Sequence, residues 1–391
     1  MLPREMLRLM RIGLVVTGGV DRSGRERVMP SVLWLLERLA RRHDVHVFVL
    51  HNYRDPSVYP LAGATIHDIG RVDGPRGLRQ LLVRRRLAAA IEAVAASGPF
   101  DLLHAYFGMP GVAATAVGRR LSLPVVVTLD SGELVALDDI QYGLQRRWID
   151  RRAIARALRA AARVTVTTEY MKRMASTVAG DVRVDVVPLG VDPHAFPPAA
   201  ATNGPPWRLL RVASLNRVKD YPMLLEALAR IVSTLPAVHL DIVGEDTLDG
   251  SVQHLARTLG LESHVTFHGF QPTDTLAAFY TRAHLHVVSS RHEAAGVVVL
   301  EAASAAVPTL GTQVGYVADW SVDATGDGTE RSVAVPVGDA AAMASAAIAL
   351  LQDPPRRERI AAAARAWALT YDADWTAEQF ERIYADVASH R

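Results

Sequence analysis

Two glutamates in SSRHEAAGVVVLEAASAAVPTLGT (289–312) stand where a strand gives way to a polar loop and then to a helix beginning near Gly296. Glu293 falls in the loop and Glu301 in the second helical turn, so two carboxylates bracket the helix start. A helix start presents unpaired N–H groups and the positive end of the aligned peptide dipoles, and a glycine lets a ligand approach the backbone closely. The main chain at Gly296 and Val297 can therefore hold a phosphate, while each carboxylate accepts hydrogen bonds from vicinal hydroxyls. That combination suits a nucleotide joined to a sugar through phosphate. The plainer alternative is that Glu293 only complements the helix dipole and Glu301 is a solvated helix residue.

A second group lies in ASLNRVKDYPMLLEAL (213–228), where Arg217 and Lys219 follow a strand and precede a helix starting near Asp220 or Pro222. Arginine meets phosphate with a planar fork and lysine with a point charge, so the pair could face a diphosphate and stabilise charge growing on it as it leaves. Basic residues at a strand end are also ordinary surface features.

These residues need a scaffold that puts strand ends and helix starts side by side. The N-terminal half alternates apolar runs, RIGLVV (11–16), VHVFVL (45–50), DLLHA (101–105), LPVVVTL (123–129), RVTVTT (163–168) and VRVDVVP (182–188), with helix-like segments such as 27–42, 76–97, 111–121 and 146–162. Strand–helix–strand alternation predicts a parallel sheet covered on both faces. The Pro/Ala/Gly-rich stretch at 190–206 reads as a linker, and the pattern then restarts with LLRVAS (209–214), VHLDIVG (238–244), HVTFHG (264–269), HLHVV (284–288) and VPTLG (307–311). A chain of 391 residues fits two such domains. AAAMASAAIALLQ (340–352) is too short to span a bilayer and reads as a packed cover of the second sheet.

Composition narrows the class further. With no cysteine there is no disulfide, thiolate nucleophile or cysteine-based zinc site. No acidic cluster has ligand-like spacing and the histidines are scattered, so no metal site and no metal cofactor are expected. The opening MLPREMLRLM carries charge where a signal peptide needs an apolar core, which makes the cytoplasm the default location. No G-x-G-x-x-G or G-x-x-x-x-G-K-[ST] follows a strand, which disfavours a dinucleotide-dependent dehydrogenase. The net charge of +2 conceals an asymmetry: residues 1–190 hold 28 Lys and Arg against 18 Asp and Glu, and residues 191–391 hold 15 against 23.

Taken together, from about residue 11 to the C-terminus, the chain resembles the family 4 retaining glycosyltransferases of the GT-B architecture. The family's two glutamates, seven residues between them, fall on Glu293 and Glu301, and its cationic segment on SLNRVKDYPMLLEA. VVPLGVDPHAF (186–196), DIVGE (241–245), VTFHGF (265–270), PVGDAAAMASAAIALLQDP (336–354) and WTAEQFERIY (375–384) match it in order. The resemblance implies two Rossmann-like α/β domains with parallel sheets facing each other across a cleft: an acceptor-side domain over 1–189 and a nucleotide-sugar-binding domain over 190–371. It also implies that the C-terminal helix, 372–391, returns to the first domain.

Roles follow on the same footing. Glu293 would hold the transferred sugar, Glu301 the ribose, Lys219 with Arg217 the diphosphate, and Gly296 with Val297 would add main-chain donors. Phe270 would lie against the base. Gly18 and Gly19, in VTGGVDRSG (16–24), match a glycine loop near the phosphates. Ser214 stands where the family usually has an arginine, and Asp130 where it commonly has a histidine near the reacting carbon, which makes Asp130 a candidate for contact with the sugar. The implied reaction keeps the anomeric configuration, takes its sugar from a nucleoside diphosphate sugar without a metal, and delivers it to an acceptor the sequence does not name. A sugar-nucleotide epimerase of the same fold and an inactive nucleotide-sugar-binding protein remain alternatives.

Nothing calls for a nucleic-acid partner. Helical spacing in RRWIDRRAIARALRAAARV (146–164) puts Arg152, Arg156, Arg159 and Arg163 on one stripe, and Arg84 to Arg86 form a second basic run. Either these are solvated helix faces, or they hold the protein against an anionic membrane where a lipid-linked acceptor would enter.

Overall fold

The computed structural model describes residues 8–198, 204–321, 324, 326 and 328–389. Parts of the opening segment (1–7), of the linker stretch (199–203) and of the C-terminal helix (390–391) lie outside the described residues. Contacts divide the chain into one unit of Met1–Leu189 with Ala373–Arg391 and another of Gly190–Asp372.

The first unit runs β1 (Arg11–Val16), α1 (Pro30–Ala40), β2 (Asp44–Val49), β3 (Ser57–Leu61), β4 (Ala64–Asp68), α2 (Arg76–Ala95), β5 (Leu102–Tyr106), α3 (Gly108–Leu121), β6 (Val125–Leu129), α4 (Trp148–Ala160), β7 (Arg163–Val166), α5 (Glu169–Ala179) and β8 (Val184–Val186). Its sheet has the order β3-β4-β2-β1-β5-β6-β7-β8. All neighbours are parallel except β3 and β4. The β-branched runs are buried on both faces, as a sheet between two helical layers requires. Ile12, Leu14 and Val16 share one core with Leu35 and Leu36 of α1, while Val127 meets α3 at Gly111.

The β3–β4 hairpin was not expected from the sequence. Its SVYPL strand alternates between half-buried and exposed residues and contains Pro60, which an edge strand tolerates because it has no neighbour on that side to receive an N–H. The arginine stripe also needs correction. Arg152, Arg156 and Arg159 are exposed along α4, but the helix ends at Ala160, and Arg163 opens β7 and pairs with Asp386.

The second unit contains β9 (Trp207–Val212), α6 (Tyr221–Thr234), β10 (Val238–Val243), α7 (Ser251–Thr258), β11 (Val265–Phe267), α8 (Thr273–Tyr280), β12 (Leu285–Val288), α9 (Val297–Ser304), β13 (Thr309–Thr312), α10 (Gly315–Trp320), β14 (Val333–Val335), α11 (Ala340–Leu351) and α12 (Pro354–Thr370). Its sheet is entirely parallel, in the order β11-β10-β9-β12-β13-β14. The Ala-rich α11 buries Met343, Ala344, Ala347, Leu350 and Leu351 in the same core as Leu224, Leu225 and Leu228 of α6. Among the described residues no helix is long and apolar enough to cross a membrane.

The last helix, α13 (Ala373–Ser389), belongs to the first unit. Phe380 and Tyr384 are fully buried in its core, Tyr384 shares a 2.6 Å hydrogen bond with His104 Nδ1, and Thr376 Oγ1 donates to the Pro188 carbonyl at 2.7 Å. Where the chain passes into and out of the second unit, Gly190 lies against Asp372 so closely that a Cβ would sit 2.0 Å from the Asp372 carbonyl carbon. Only glycine fits there.

Candidate functional site

In an open parallel sheet ligands gather beyond the carboxyl ends of the strands where the strand order reverses. In the second unit that point lies between β9 and β12: from β9 the chain winds outward through β10 and β11, and from β12 it winds the other way. The turn after β9 carries Lys219 and the loop after β12 carries Glu293. They meet, with Lys219 Nζ donating to Glu293 Oε1 at 2.6 Å. Ser289 Oγ donates to the Lys219 carbonyl at 2.7 Å and the Arg291 N–H to the Val218 carbonyl at 2.8 Å, so the two segments form one surface.

Behind this pair stands a residue that sequence reasoning missed. Arg211, in β9, is completely buried; its Nη2 donates to Ser290 Oγ at 2.8 Å, and Ser290 Oγ donates to Glu293 Oε1 at 2.6 Å. Burial pushes the Glu293 carboxyl up, but the Lys219 and Arg211 charges and the bonds from Lys219 and Ser290 outweigh it and hold the group below its ordinary value. Glu293 is thus a fixed carboxylate. The available signal was the arginine itself, the one charge in an apolar LLRVAS run.

Glu301 lies in α9 with a different environment. It is buried, Tyr280 O–H donates to its Oε2 at 2.8 Å, and burial pushes its carboxyl up to about 7 despite that bond. Gly296 is the N-cap of α9 in the left-handed region, φ 75°, and no side chain caps the helix. A Cβ on Gly296 would make only ordinary contacts, with Glu293 at 3.6 Å and Val299 at 3.7 Å, so glycine serves the backbone angle. Arg217 shares the turn of Lys219 but is exposed, with no ion-pair partner among the described residues. Phe270, after β11, is half exposed. Ser214 Oγ accepts from Asn216 Nδ2 at 2.9 Å.

The first unit has its own reversal between β1 and β5, and there the structure holds a cavity of about 730 Å³. Thr17 beyond β1, Leu50 and His51 beyond β2, Phe107 and Gly108 beyond β5, and Ser131 beyond β6 contribute to its lining. Gly18 and Gly19 follow Thr17 directly; a Cβ on Gly18 would make only ordinary contacts, with Asn52 Oδ1 at 3.8 Å and the His51 carbonyl at 3.9 Å, whereas Gly19 takes φ 81° and accepts the Met29 N–H at 2.8 Å. Asp130 follows β6 directly, next to Ser131, and accepts from Thr167 Oγ1 at 3.1 Å. Asp130 and Gly18 thus belong to one unit, and Lys219, Glu293, Gly296 and Glu301 to the other.

Similarity to known proteins agrees with these two units. Residues 31–195 match Glycosyltransferase Family 4, and residues 195–367 match Glycosyl transferases group 1. A D-inositol 3-phosphate glycosyltransferase of Segniliparus rotundus is 30% identical over 304 residues, spanning 71% of this chain and 67% of that protein. Among solved structures, sucrose-phosphate synthase from Thermosynechococcus elongatus superposes with a TM-score of 0.81 at 22% identity, covering 97% of this chain and all of that one. Anabaena HepE in complex with UDP and glucose gives 0.76 at 16% identity, covering 96% and 99%. The chain belongs to the family 4 glycosyltransferases and has their two-unit GT-B fold.

Proposed function

We propose that this glycosyltransferase takes its sugar from a nucleoside diphosphate sugar and transfers it with retention of anomeric configuration. The observation that carries the reading is the Lys219–Glu293 pair, fixed at the reversal point by buried Arg211 through Ser290 and lying beside the uncapped start of α9. A carboxylate held ionised accepts two sugar hydroxyls without having to lose a proton first. Lys219, with the amides of Gly296 and Val297, meets the leaving diphosphate; Arg217, exposed on the same turn, adds a second cation. Glu301 takes the ribose and Phe270 the base. The bound UDP in the HepE structure is what that protein holds, and it supports a nucleotide donor here by likeness of fold.

Charge appearing on the departing phosphate oxygen is met by cations and amides already in position, so stabilisation costs no reorganisation at the moment of reaction. The acceptor hydroxyl attacks from the face the phosphate leaves, and its proton passes to that phosphate oxygen. No protein nucleophile and no divalent metal enter this reading. The first unit, with Asp130 and the Gly18–Gly19 loop, receives the acceptor, and its exposed arginines bring it to an anionic membrane surface from the cytoplasmic side.

The test is a screen of UDP, GDP and ADP by thermal stabilisation, then calorimetry on variants with the responding nucleotide. Lys219→Ala should weaken nucleoside diphosphate binding far more than nucleoside binding, by on the order of 1.5–3 kcal/mol, because the lost contact is charge-assisted and to phosphate. Glu301→Ala should weaken both ligands, and Glu293→Ala should chiefly lower turnover. Equal losses for nucleotide and nucleoside in Lys219→Ala would assign the lysine to folding instead. Product formed without acceptor would mean an epimerase, and binding without turnover in any acceptor mixture an inactive binder.

A further inference from the structure

The cavity at the strand reversal of the first unit has a lining of two kinds. Val83, Phe107, Met109, Pro110, Val112 and Leu144 make an apolar wall, and Arg76, Arg79, Arg84, Arg146 and Arg147 bring five cations. Only two carboxylates join them, and both are spoken for. Asp150 is buried and receives Arg76, with Arg147 at 3.9 Å. Glu133 is buried and accepts the N–H groups of Gly108 at 3.0 Å and Ser131 at 2.7 Å. Glu133 therefore already takes the first N–H of α3, and that donor is not available to an incoming anion.

Anion binding in this cavity falls to the arginines instead. Arg146 is shared with Asp138 and Gln141. Arg79 and Arg84, five residues apart on α2 and both in the cavity lining, have no ion-pair partner among the described residues, and the charge of Arg79 reaches His51 in the same lining, where burial, then Arg79 and Arg71, hold the imidazole below its ordinary value. Phe107 adds a sign of function: its backbone sits at φ 76°, ψ 158°, a region normally left to glycine, with its N–H fixed to the Thr128 carbonyl at 2.8 Å. Strain of that kind persists where the surroundings enforce it, and such sites cluster around bound ligands. Large apolar side chains next in sequence to lining residues face solvent: Leu78 is 52% exposed, Leu81 46%, Trp148 61% and Ile149 48%.

We propose that this cavity binds the acceptor and that the acceptor is an amphiphile bearing a phosphate, its apolar body against the Val83–Phe107–Val112 wall and its anion on Arg79 and Arg84. The assignment rests on the transferase reading above and names the acceptor's chemical class. A volume of about 730 Å³ lies inside the usual range for small-molecule sites, roughly 300–1,000 Å³. A small polar phosphate would use the cations and leave the apolar wall wet; a neutral lipid would bury the wall and leave the cations without a counter-charge. Only a ligand with both parts satisfies both surfaces.

Calorimetry on the full chain decides it, with three probes below their aggregation concentrations: decyl phosphate, glycerol 1-phosphate and decyl maltoside. Decyl phosphate should bind at least tenfold more tightly than either of the others, and Arg79→Gln combined with Arg84→Gln should remove at least tenfold of that affinity. Both arginines lie at the surface of α2, and an unchanged melting curve with unchanged nucleoside diphosphate binding would confirm that the variant is folded. Should it melt early, Val112→Asp, which puts a negative charge into the apolar wall, gives a second route to the same loss. Glycerol 1-phosphate binding as tightly as decyl phosphate would overturn the amphiphile in favour of a small polar phosphate. Decyl maltoside doing so would overturn the anion, and no binding of any probe would overturn the proposal outright. Nucleotide binding measured on the same samples separates the two readings: nucleotide bound with decyl phosphate ignored refutes the acceptor class alone, while the converse refutes the donor reading and leaves an amphiphile site.

Discussion

A carboxyl group buried as deeply as that of Glu301, with one tyrosine hydroxyl beside it, is costly to ionise, and burial places its titration at about 7 instead of the ordinary 4.5. The unfolded chain gives up this proton first as pH rises, so the cost of the group is absent below about 4.5, grows between the two values and is complete above 7. It then amounts to about 3 kcal/mol against the folded state. Glu301→Gln should accordingly raise the melting temperature at pH 8 and do so much less at pH 5. On the proposed reading ribose hydroxyls would donate to the ionised form, so nucleoside affinity in the wild type should fall about tenfold between pH 8 and pH 6, and the Gln variant should bind weakly at both. The nucleoside serves better than the nucleotide because it brings no phosphate to titrate. A wild-type affinity independent of pH would remove Glu301 from the ribose site. The neighbouring Glu293 behaves oppositely, since Lys219 and Arg211 keep it charged across this range.

At the scale of elements, α13 acts as part of the first unit's core. His104 is fully buried between Tyr384 and Thr128, and burial brings its imidazole down to about 3, so it stays neutral and its two bonds are insensitive to physiological pH. Tyr384→Phe strips one partner from a buried ring nitrogen and should cost about 1–3 kcal/mol; Phe380→Ala opens a cavity and should cost about 3–5 kcal/mol. Both should lower the urea midpoint of the first unit while nucleotide binding, proposed for the second unit, stays at wild-type strength. Strands were legible in the sequence wherever an apolar run met a turn, which covers the strands flanking both reversal points. The β3–β4 hairpin was not, because Pro60 and exposed alternate residues break the apolar run, nor was β14, which is three residues long. Arg163 was misplaced because helical periodicity carries no stop signal, and Ala161 turns extended with neither glycine nor proline to announce it. For the candidate site, the sequence pattern placed Glu293 and Lys219 after strands, and the structure has them meet there. Arg211 and Ser290 join them only because β9 and β12 are neighbours, a property of topology that no local window contains. Of the cavity's arginines, Arg84 stood out as part of a basic run, but that it shares a cavity with Arg146 and Arg147 is again a matter of topology.

Over the whole molecule, part of the excess positive charge of the N-terminal half is gathered on one exposed helix face. Arg152, Arg156 and Arg159 are exposed on α4, and Trp148, with Arg152 over its ring at 5.1 Å, is exposed at the helix start. An anionic leaflet attracts such a surface by about 1 kcal/mol per cation, and salt screens the attraction beyond about 8 Å at physiological ionic strength. Wild-type protein should co-sediment with anionic vesicles in preference to neutral ones at low salt, lose that preference as salt rises, and lose it at all salts when Arg152, Arg156 and Arg159 are changed to Gln. Arg163 is left out because its partner is Asp386. Indifference to vesicle charge would leave the arginines as a solvated face.

The return of α13 to the first unit also sets an order on biosynthesis. The second unit is one continuous stretch, 190–372, whereas the first is assembled from both ends of the chain. As the ribosome extends the polypeptide, the earlier-made sheet must wait, with the core face that Phe380 and Tyr384 will cover still open, until the later-made unit has been completed. Residues 190–372 expressed alone should fold, and residues 1–189 alone should aggregate unless a peptide spanning 373–389 is supplied.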